Sequence, residues 1–445
     1  MTVYLLCYAA GVLLSVSGHH LMAGAGLMAA AGWLFVSDWK KSGTPLNLRG
    51  LFALSFVGGE GLALLKLSRI CGPWTAQTWL SFLLTYVVFH LVYEWSTGKE
   101  SPKKAEGQAS GDRETGKNRS SFGVFLSIMG LSAAVLLAFV TEICILRYIP
   151  FFVRGVPHAY AEFHVKGVHY FTVSAVLLPA MAVIWFFTEK KRTPGRDIPV
   201  ALSAAMGFLI PVLCASRSQM LFSILLTLLV YVRMTEKKPD PRAVGCGLLG
   251  AVMLFVVLTI VRGHDAAYLN AVFEMKNAHI PVFFSQPYVY IINNYENFNF
   301  LTEHLPHHTM GAKGLFPLWT FTGLKNRYWF LTCWGNLYVK AELTTTTIIY
   351  DAWYDYGLPG VCVFSAVLSR VSARVERAAA GKRNPFLFLL YGQFALYLIL
   401  SFFTAWFSLP ITWFYFGVTG IAIFMAAYAD TVRTNIFERF RRKKQ

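Results

Sequence analysis

The sequence predicts an all-α, polytopic membrane protein, a transmembrane helix bundle of about 12 spans. Three observations lead to this fold class. Of the 445 residues, 56% are hydrophobic and only 14% are charged, and the mean hydropathy of +0.49 is too apolar for a soluble chain of this length. Apolar stretches long enough to cross a bilayer recur along the chain. The basic residues gather in alternate connections between those stretches.

The predicted spans follow from length, because crossing the hydrocarbon core takes about 20 apolar residues in a helix. They are 2–17, 21–37, 48–68, 76–95, 122–141, 169–188, 198–214, 218–232, 243–261, 356–373, 386–407 and 410–429. The first span lacks a basic leader and a small-residue cleavage site, so we expect a retained helix rather than a signal peptide. We expect one transmembrane domain over 1–445.

The net charge of +17 would suggest a nucleic-acid partner in a soluble protein. Its placement gives another explanation, because 28 of the 40 Lys and Arg residues lie in alternate connections and in the C-terminal tail. Those segments are 40–49, 99–119, 190–196, 233–242, 370–383 and 433–444. Basic residues accumulate on the cytoplasmic side of membrane proteins. We therefore expect both termini in the cytoplasm and no nucleic-acid partner.

Two long segments between spans differ in character. Residues 96–121 are rich in Gly, Ser and charge, which predicts a disordered cytoplasmic linker. Residues 262–355 form a long extracytoplasmic loop with many aromatic side chains, and long ordered loops are usually functional. Within it, 280–292 is interrupted by Pro281 and Pro287, which favours short helices at the membrane interface. This loop is the candidate active-site region.

Several common motifs are absent. The predicted cytoplasmic loops contain no P-loop, no Gly-rich dinucleotide turn and no Asp-x-Asp. The seven cysteines are scattered and show neither metal-ligand spacing nor a disulfide framework. We therefore expect no metal and no cofactor, and the pattern argues against nucleotide-dependent chemistry inside the cell.

Two arginines interrupt apolar sequence on the predicted outer side. Arg217 lies in the tight hairpin between the seventh and eighth spans, and Arg262 ends the ninth. Ionisable residues at this depth often belong to functional sites. The structural alternative is a side chain that snorkels to lipid headgroups. A guanidinium binds phosphate oxygens through two parallel hydrogen bonds, so the functional interpretation is a pyrophosphate clamp.

Together these features carry a resemblance to a known family. Ser216 and Arg217 open a helix, Arg262 ends one, 286–295 reads QPYVYIINNY, and 344–360 reads TTTTIIYDAWYDYGLPG. With the twelve-span pattern, they resemble the oligosaccharide repeat-unit polymerases of the Wzy type, which assemble O-antigen or capsule. The resemblance covers 200–375 as motif and the rest of the chain as topology.

The resemblance implies a metal-independent, C-type glycosyltransferase in a bacterial cytoplasmic membrane. It would join undecaprenyl-pyrophosphate-linked oligosaccharides into O-antigen, capsule or exopolysaccharide at the outer face. The implied partners are the lipid-linked donor and acceptor, the bilayer, a chain-length regulator and a flippase. Arg217 and Arg262 would stabilise the pyrophosphate leaving group as charge develops on it.

A base must also deprotonate the acceptor hydroxyl. Ten of the eleven histidines lie at or beyond the predicted outer face, and the related ligases are thought to use a loop histidine. We rank His307 and His308 first; the competing candidates are His264, His304, Asp351 and Asp355. Each has a structural alternative, since Pro-His-His suits a turn and the two aspartates suit a helix N-terminus.

Weaker candidates are Tyr288, Tyr290 and Tyr295, which either bind sugar or pack at the membrane interface. Glu60 lies near the middle of the third span, where a carboxylate must be protonated or paired. It makes either a structural contact with a buried cation or a proton-coupling site in a transporter.

Three functions therefore stay open. The polymerase ranks first; an O-antigen ligase would use the same lipid donor with a lipid A core acceptor. A transporter or flippase of lipid-linked sugars should show inverted repeats and broken helices around charges at the membrane midplane. In this chain, the unusual polar residues lie mainly in one outer loop.

Overall fold

The computed structural model describes residues 1–98, 121–153, 162–235, 266–277, 279–381 and 384–442. Their regular structure is helical, with one isolated β-bridge between Ser68 and Met275, and the all-α prediction is confirmed. The α-helices are α1 (Thr2–Val16), α2 (His20–Ser42), α3 (Leu48–Phe52), α4 (Gly58–Leu64), α5 (Ala76–Gly98), α6 (Ser121–Leu146), α7 (His169–Val173), α8 (Leu178–Thr188), α9 (Pro194–Leu213), α10 (Arg217–Met234), α11 (Ala266–Phe273), α12 (Val282–His304), α13 (Phe316–Phe321), α14 (Leu324–Arg327), α15 (Tyr350–Ala380), α16 (Leu387–Ile399) and α17 (Pro410–Arg442).

Eight helical stretches in the described part of the chain are long and apolar enough to cross a membrane. They are α2, α5, α6, the run from α7 to α8, α9, α10, α15 and α17. Helices α1 and α16 are apolar but shorter, and a π-helical turn joins α3 to α4. The predicted span 243–261 lies outside the described residues, as does most of the predicted linker 96–121. The prediction of a helical, membrane-type architecture is confirmed. The number of twelve membrane spans stays a prediction.

The chain divides into two compact units, each assembled from three chain segments. Unit 1 comprises Met1–Lys99, Gly263–Glu376 and Tyr397–Trp413. Unit 2 comprises Glu100–Arg262, Arg377–Leu396 and Phe414–Gln445. The expected single transmembrane domain therefore contains two compact parts.

Helices α2 and α4 pack closely in unit 1 because glycines face each other. A Cβ atom added to Gly24 would lie 2.5 Å from the Gly61 carbonyl oxygen, and one added to Gly61 would lie 2.9 Å from the Gly24 oxygen. Small residues at such crossings let the helix backbones approach. Next to this crossing lies an aromatic core in which Phe82 meets Trp74 at 5.1 Å and Tyr295 at 5.3 Å between ring centroids.

The segment 280–292 differs from expectation, because its residues from Val282 onward belong to the 23-residue helix α12. Pro281 is the N-cap of this helix, and Pro287 falls early in it, where it removes one backbone hydrogen bond. Helix α12 packs against α4, α5 and α11 in unit 1. Its polar side chains bind neighbouring backbone: Asn297 donates to the carbonyls of Leu343 and Thr345, both at 2.8 Å. These bonds explain how an interrupted hydrophobic pattern forms a long helix.

In unit 2, helix α8 packs against α9 and α10, and α6 packs against α7, α8 and α9. Gly207 of α9 allows a close approach, since a Cβ there would lie 2.7 Å from the Ala175 carbonyl oxygen. A tight turn with Ala215 at φ 52° then joins α9 to α10. This packing sets the C-terminus of α6 against the N-terminus of α7 and the end of α9.

Candidate functional site

Helix α15 breaks near its start, and the candidate site of unit 1 is built on this break. Gly357 has φ 61° and ψ −144°, a backbone conformation open to glycine, and Pro359 follows it. The loop after α12 lies against the first turns of α15. There the backbone N–H groups of Thr309 and Met310 donate to the carbonyls of Tyr354 and Asp355, each at 3.3 Å. The break thus leaves carbonyls that the loop satisfies.

Asp355 anchors this loop from α15. Its side chain is 2% exposed, and it accepts hydrogen bonds from the Thr309 hydroxyl, from Lys313 N at 3.1 Å and from Gly314 N at 2.6 Å. Three donors on one buried carboxylate occupy most of its accepting capacity. Asp355 therefore suits a structural role better than that of a base.

His308 lies on the same break and has the geometry of an oriented base. Its Nδ1 donates to the Tyr354 carbonyl at 3.2 Å, and its ring meets Trp353 edge-on at 5.3 Å between centroids. On the other side of the ring, a Cβ added to Gly357 would lie 3.2 Å from Nε2. Because Nδ1 carries the proton given to the carbonyl, Nε2 of the neutral ring is an acceptor.

His307 and His308 are both exposed, but within the described part of the chain no hydrogen bond or ring contact orients His307. The two adjacent histidines therefore differ in preorganisation: His308 is oriented by the protein and His307 is not. This difference could not be seen in the Pro-His-His sequence.

Asp351 lies one helical turn before Asp355 and is half-buried. It interacts electrostatically with Lys313, whose ammonium binds Asn336 and stands 4.9 Å above the Tyr354 ring. Burial lowers the pKa of Lys313, while the carboxylates of Asp351 and Asp355 act in the opposite direction. The first turns of α15 thus gather an imidazole, an ammonium and a half-buried carboxylate.

The three predicted sugar-binding tyrosines lie on α12. Tyr295 is fully buried and its hydroxyl donates to the Phe56 carbonyl at 2.7 Å. The Tyr288 hydroxyl accepts from Leu67 N at 2.9 Å. Both hydroxyls thus make internal contacts, which favours packing roles for these two residues. Tyr290 is half-buried, and its sugar-binding role stays a prediction.

Of the two predicted pyrophosphate ligands, the structure describes Arg217, which belongs to unit 2. Arg217 is the first residue of α10 and is half-buried. Arg262 and the competing candidate His264 lie outside the described residues. His308 and Asp351 belong to unit 1.

Unit 1 also contains a buried ion pair that sequence reasoning missed. Glu296 of α12 accepts from Lys66 Nζ at 3.4 Å, from Trp74 Nε1 at 3.0 Å and from Gly72 N at 3.0 Å. Burial raises the pKa of Glu296, and the charge of Lys66 opposes that shift. The pair fixes the connection after α4 to α12. The available sequence signal was the polar run from Asn293 to Asn299 within the predicted extracytoplasmic loop.

A carboxylate–imidazole pair in unit 2 was also missed. Glu142 of α6 is fully buried and accepts from His169 Nδ1 and from Val165 N, both at 3.0 Å. The His164 ring lies edge-on to that of His169, with 5.7 Å between centroids. Sequence reasoning counted both histidines among those of the outer face. The available signal was a lone glutamate close to the end of an apolar span.

Glu60 is 0% exposed in α4, directly after the π-helical turn. Among the described residues its two carboxyl oxygens have no hydrogen-bond partner, and no cation there forms an ion pair with it. The hydroxyl groups of Tyr4, Tyr8 and Tyr295 are its electrostatic neighbours. The expected contact with a buried cation is thus not found in the described part of unit 1.

No protein-family model matches this sequence, no curated protein is similar to it, and no solved structure matches the fold. Within the described ranges, no group of three or more His, Cys, Asp or Glu side chains is arranged to hold a metal ion.

Proposed function

We propose that this protein is a membrane glycosyltransferase that polymerises polyprenyl-pyrophosphate-linked oligosaccharides into surface polysaccharide at the outer face of a bacterial cytoplasmic membrane. The supporting observation is His308, whose Nδ1–H is held by the Tyr354 carbonyl. An imidazole fixed in this way presents the Nε2 lone pair in a defined direction. That is what a base for a sugar hydroxyl requires.

In the proposed reaction, the acceptor hydroxyl oxygen attacks the anomeric carbon of the donor sugar. A new glycosidic C–O bond forms, and the bond from the anomeric carbon to the pyrophosphate oxygen breaks. The electron pair of that bond leaves with the pyrophosphate, and the hydroxyl proton passes to His308 Nε2. General-base catalysis of this kind typically contributes about 10²–10⁴-fold in rate.

Asp351 and Lys313 interact electrostatically at the first turns of α15, the part of the helix that His308 also contacts. The half-buried carboxylate of Asp351 can accept hydrogen bonds from hydroxyls of the acceptor sugar. The Lys313 ammonium, held by Asn336 and the Tyr354 ring, interacts electrostatically with the Asp351 carboxylate. In this proposal Asp351 binds acceptor sugar and Lys313 is a positioning residue.

Arg217 and Arg262 retain the role that the resemblance implies, as ligands of the pyrophosphate group. A guanidinium gives two parallel donors to adjacent phosphate oxygens. As the anomeric bond breaks, negative charge grows on those oxygens and the charge-assisted hydrogen bonds strengthen.

Reconstitution tests the proposal. Purified full-length protein is incorporated into liposomes with undecaprenyl-pyrophosphate-linked repeat units, in the absence of nucleotide sugars. We expect a ladder of products that differ by one repeat unit. If a broad panel of such lipid-linked units yields no ladder from protein that retains its thermal transition, the polymerase proposal is wrong. Transfer to added lipid A core alone would identify the ligase instead.

A second candidate, a proton-coupled transporter of lipid-linked sugars, is favoured by one observation. Glu60 is a buried carboxyl beside a π-helical turn, and such turns occur frequently at functional sites. A coupling carboxyl must exchange its proton, whereas a structural one need not. Glu60→Gln should abolish lipid translocation in liposomes if the protein is a transporter, and should leave chain growth within about twofold if it is a polymerase.

A further inference from the structure

The Glu142–His169 pair shares one end of unit 2 with the Arg217 hairpin. Glu142 lies in the last turns of α6, and His169 begins α7. Helix α6 packs against both α7 and α9. Cys214, which ends α9 three residues before Arg217, is buried within electrostatic range of the Glu142 carboxyl. The Glu142–His169 pair, Cys214 and Arg217 therefore lie at the same end of the packed helices of unit 2. The sequence predicts that this end faces outward.

The geometry of the pair directs one ring nitrogen outward. His169 Nδ1 donates to Glu142 Oε1, and Val165 N donates to the same oxygen, so both the carboxylate and the ring are fixed. The Glu142 side chain is 0% exposed and that of His169 is 25% exposed. With Nδ1 bonded inward, the accessible edge of the ring is Nε2. The buried carboxylate also supplies the counter-charge for a ring that carries a second proton.

Basic residues outnumber acidic ones in the connections that adjoin this pair. Arg147 follows α6 directly, His164 and Lys166 precede α7, and Arg217 begins α10, whereas Glu162 is the further acid in these connections. This arrangement favours an anion. Phosphate oxygens suit it best, since guanidinium, ammonium and imidazolium N–H groups all donate to them.

We propose that His169, oriented by Glu142, and Arg217 form a phosphate-binding site at this end of unit 2. His169 would donate from Nε2 to a phosphate oxygen, Arg217 would bind neighbouring oxygens, and Glu142 is a positioning residue. The choice of the ligand, the pyrophosphate of a lipid-linked sugar, rests on the proposed function. The site itself rests on the geometry of the Glu142–His169 pair and on the position of Arg217 at the start of α10, three residues after Cys214.

Binding to purified full-length protein in detergent tests the site without any chain growth. The probes are farnesyl pyrophosphate, farnesol and inorganic pyrophosphate, measured by microscale thermophoresis. A charge-assisted hydrogen bond is worth about 1.5–3 kcal/mol, so His169→Asn should weaken farnesyl pyrophosphate binding about 10- to 100-fold. Glu142→Gln should weaken it about 3- to 10-fold, and farnesol affinity should not change. The matched control is His279→Asn, an exposed histidine in unit 1.

Equal affinity for inorganic and farnesyl pyrophosphate would assign the site to an aqueous ion, and tighter binding of the farnesyl compound would assign it to a lipid. Farnesyl pyrophosphate affinity within twofold of wild type in folded His169→Asn and Glu142→Gln would overturn the site.

A second measurement needs no variant. Diethyl pyrocarbonate modifies accessible imidazole nitrogens, and mass spectrometry locates the modified histidines. Farnesyl pyrophosphate should protect His169 in the wild-type protein, farnesol should not, and labelling of His279 should be equal throughout. Unchanged labelling of His169 at a saturating concentration would also overturn the site. Polymerase failure with intact pyrophosphate binding contradicts only the proposed function; the reverse result contradicts only this inference.

Discussion

Each unit orients an imidazole through Nδ1, but with a different acceptor. In unit 1, His308 donates to the Tyr354 carbonyl at 3.2 Å. In unit 2, His169 donates to the buried carboxylate of Glu142 at 3.0 Å. A neutral acceptor leaves Nε2 of the neutral ring as an acceptor, which suits a base. A charged acceptor also accommodates a doubly protonated ring, which suits a donor to an anion. The partner of Nδ1 therefore decides what each histidine can do.

The largest expected effect concerns topology, because the roles proposed for His308 and His169 both require an imidazole at the outer face of the membrane. Alkaline phosphatase fusions near 165 and 310 should be active, and fusions near 110 and 380 should be inactive, since otherwise most basic residues would lie on the wrong side. Green fluorescent protein fusions at the same four points are the complementary control. An inward 310 would contradict the assigned role of His308.

A second prediction separates an anchoring carboxylate from a positioning one. Asp355→Ala leaves three donors at the α15 break without their acceptor, so it should lower the free energy of unfolding by at least about 3 kcal/mol. Chain growth should fall with it, because the loop that carries His308 loses its attachment. Thermal unfolding in detergent measures the effect, with the exposed Glu303→Ala as control. Wild-type stability in Asp355→Ala would show that the loop is held by other contacts.

A third prediction tests the arginines. Arg217→Lys and Arg262→Lys should each reduce glycosyl transfer about ten- to a hundredfold, because lysine keeps the charge but loses the second parallel donor. Polymer ladders in cells that lack the native gene, normalised to membrane-embedded protein, give the measurement. A residue that only snorkels to headgroups would tolerate lysine. Near-wild-type ladders from both variants would remove the pyrophosphate clamp.

The smallest expected effect is that of a chelator. Both imidazoles are held by protein atoms, and the proposed chemistry requires proton transfer and phosphate binding alone. Polymerisation by the purified protein should therefore stay within about twofold in excess EDTA. Activity that disappears and returns with Mg²⁺ or Mn²⁺ would contradict both proposed roles.

The helical fold could be predicted because a helix that crosses the bilayer needs about 20 mostly apolar residues, and such a stretch is visible in the local sequence. Helix α12 could not be predicted in the same way. Its polar residues depend on distant partners, as Asn297 does on the Leu343 and Thr345 carbonyls, and local hydropathy does not contain those contacts.

The site was predictable in residue type and less so in geometry. His308, Asp351 and Arg217 could be singled out as ionisable groups in unusual positions. The difference between His307 and His308 depends on a helix break at Gly357, to which only one of the rings is bonded. The Glu142–His169 pair joins residues 27 apart across two helices. Such pairings arise from packing, which a single sequence does not reveal.

The central claim is that His308, and not its neighbour, is the base. The most direct measurement is the initial rate of chain growth by purified His308→Ala and His307→Ala variants in liposomes, with membrane insertion and thermal stability verified for each. The account predicts a loss of about 10²–10⁴-fold for His308→Ala and a rate within about twofold of wild type for His307→Ala. Long polymer from His308→Ala at a near-wild-type rate would contradict it.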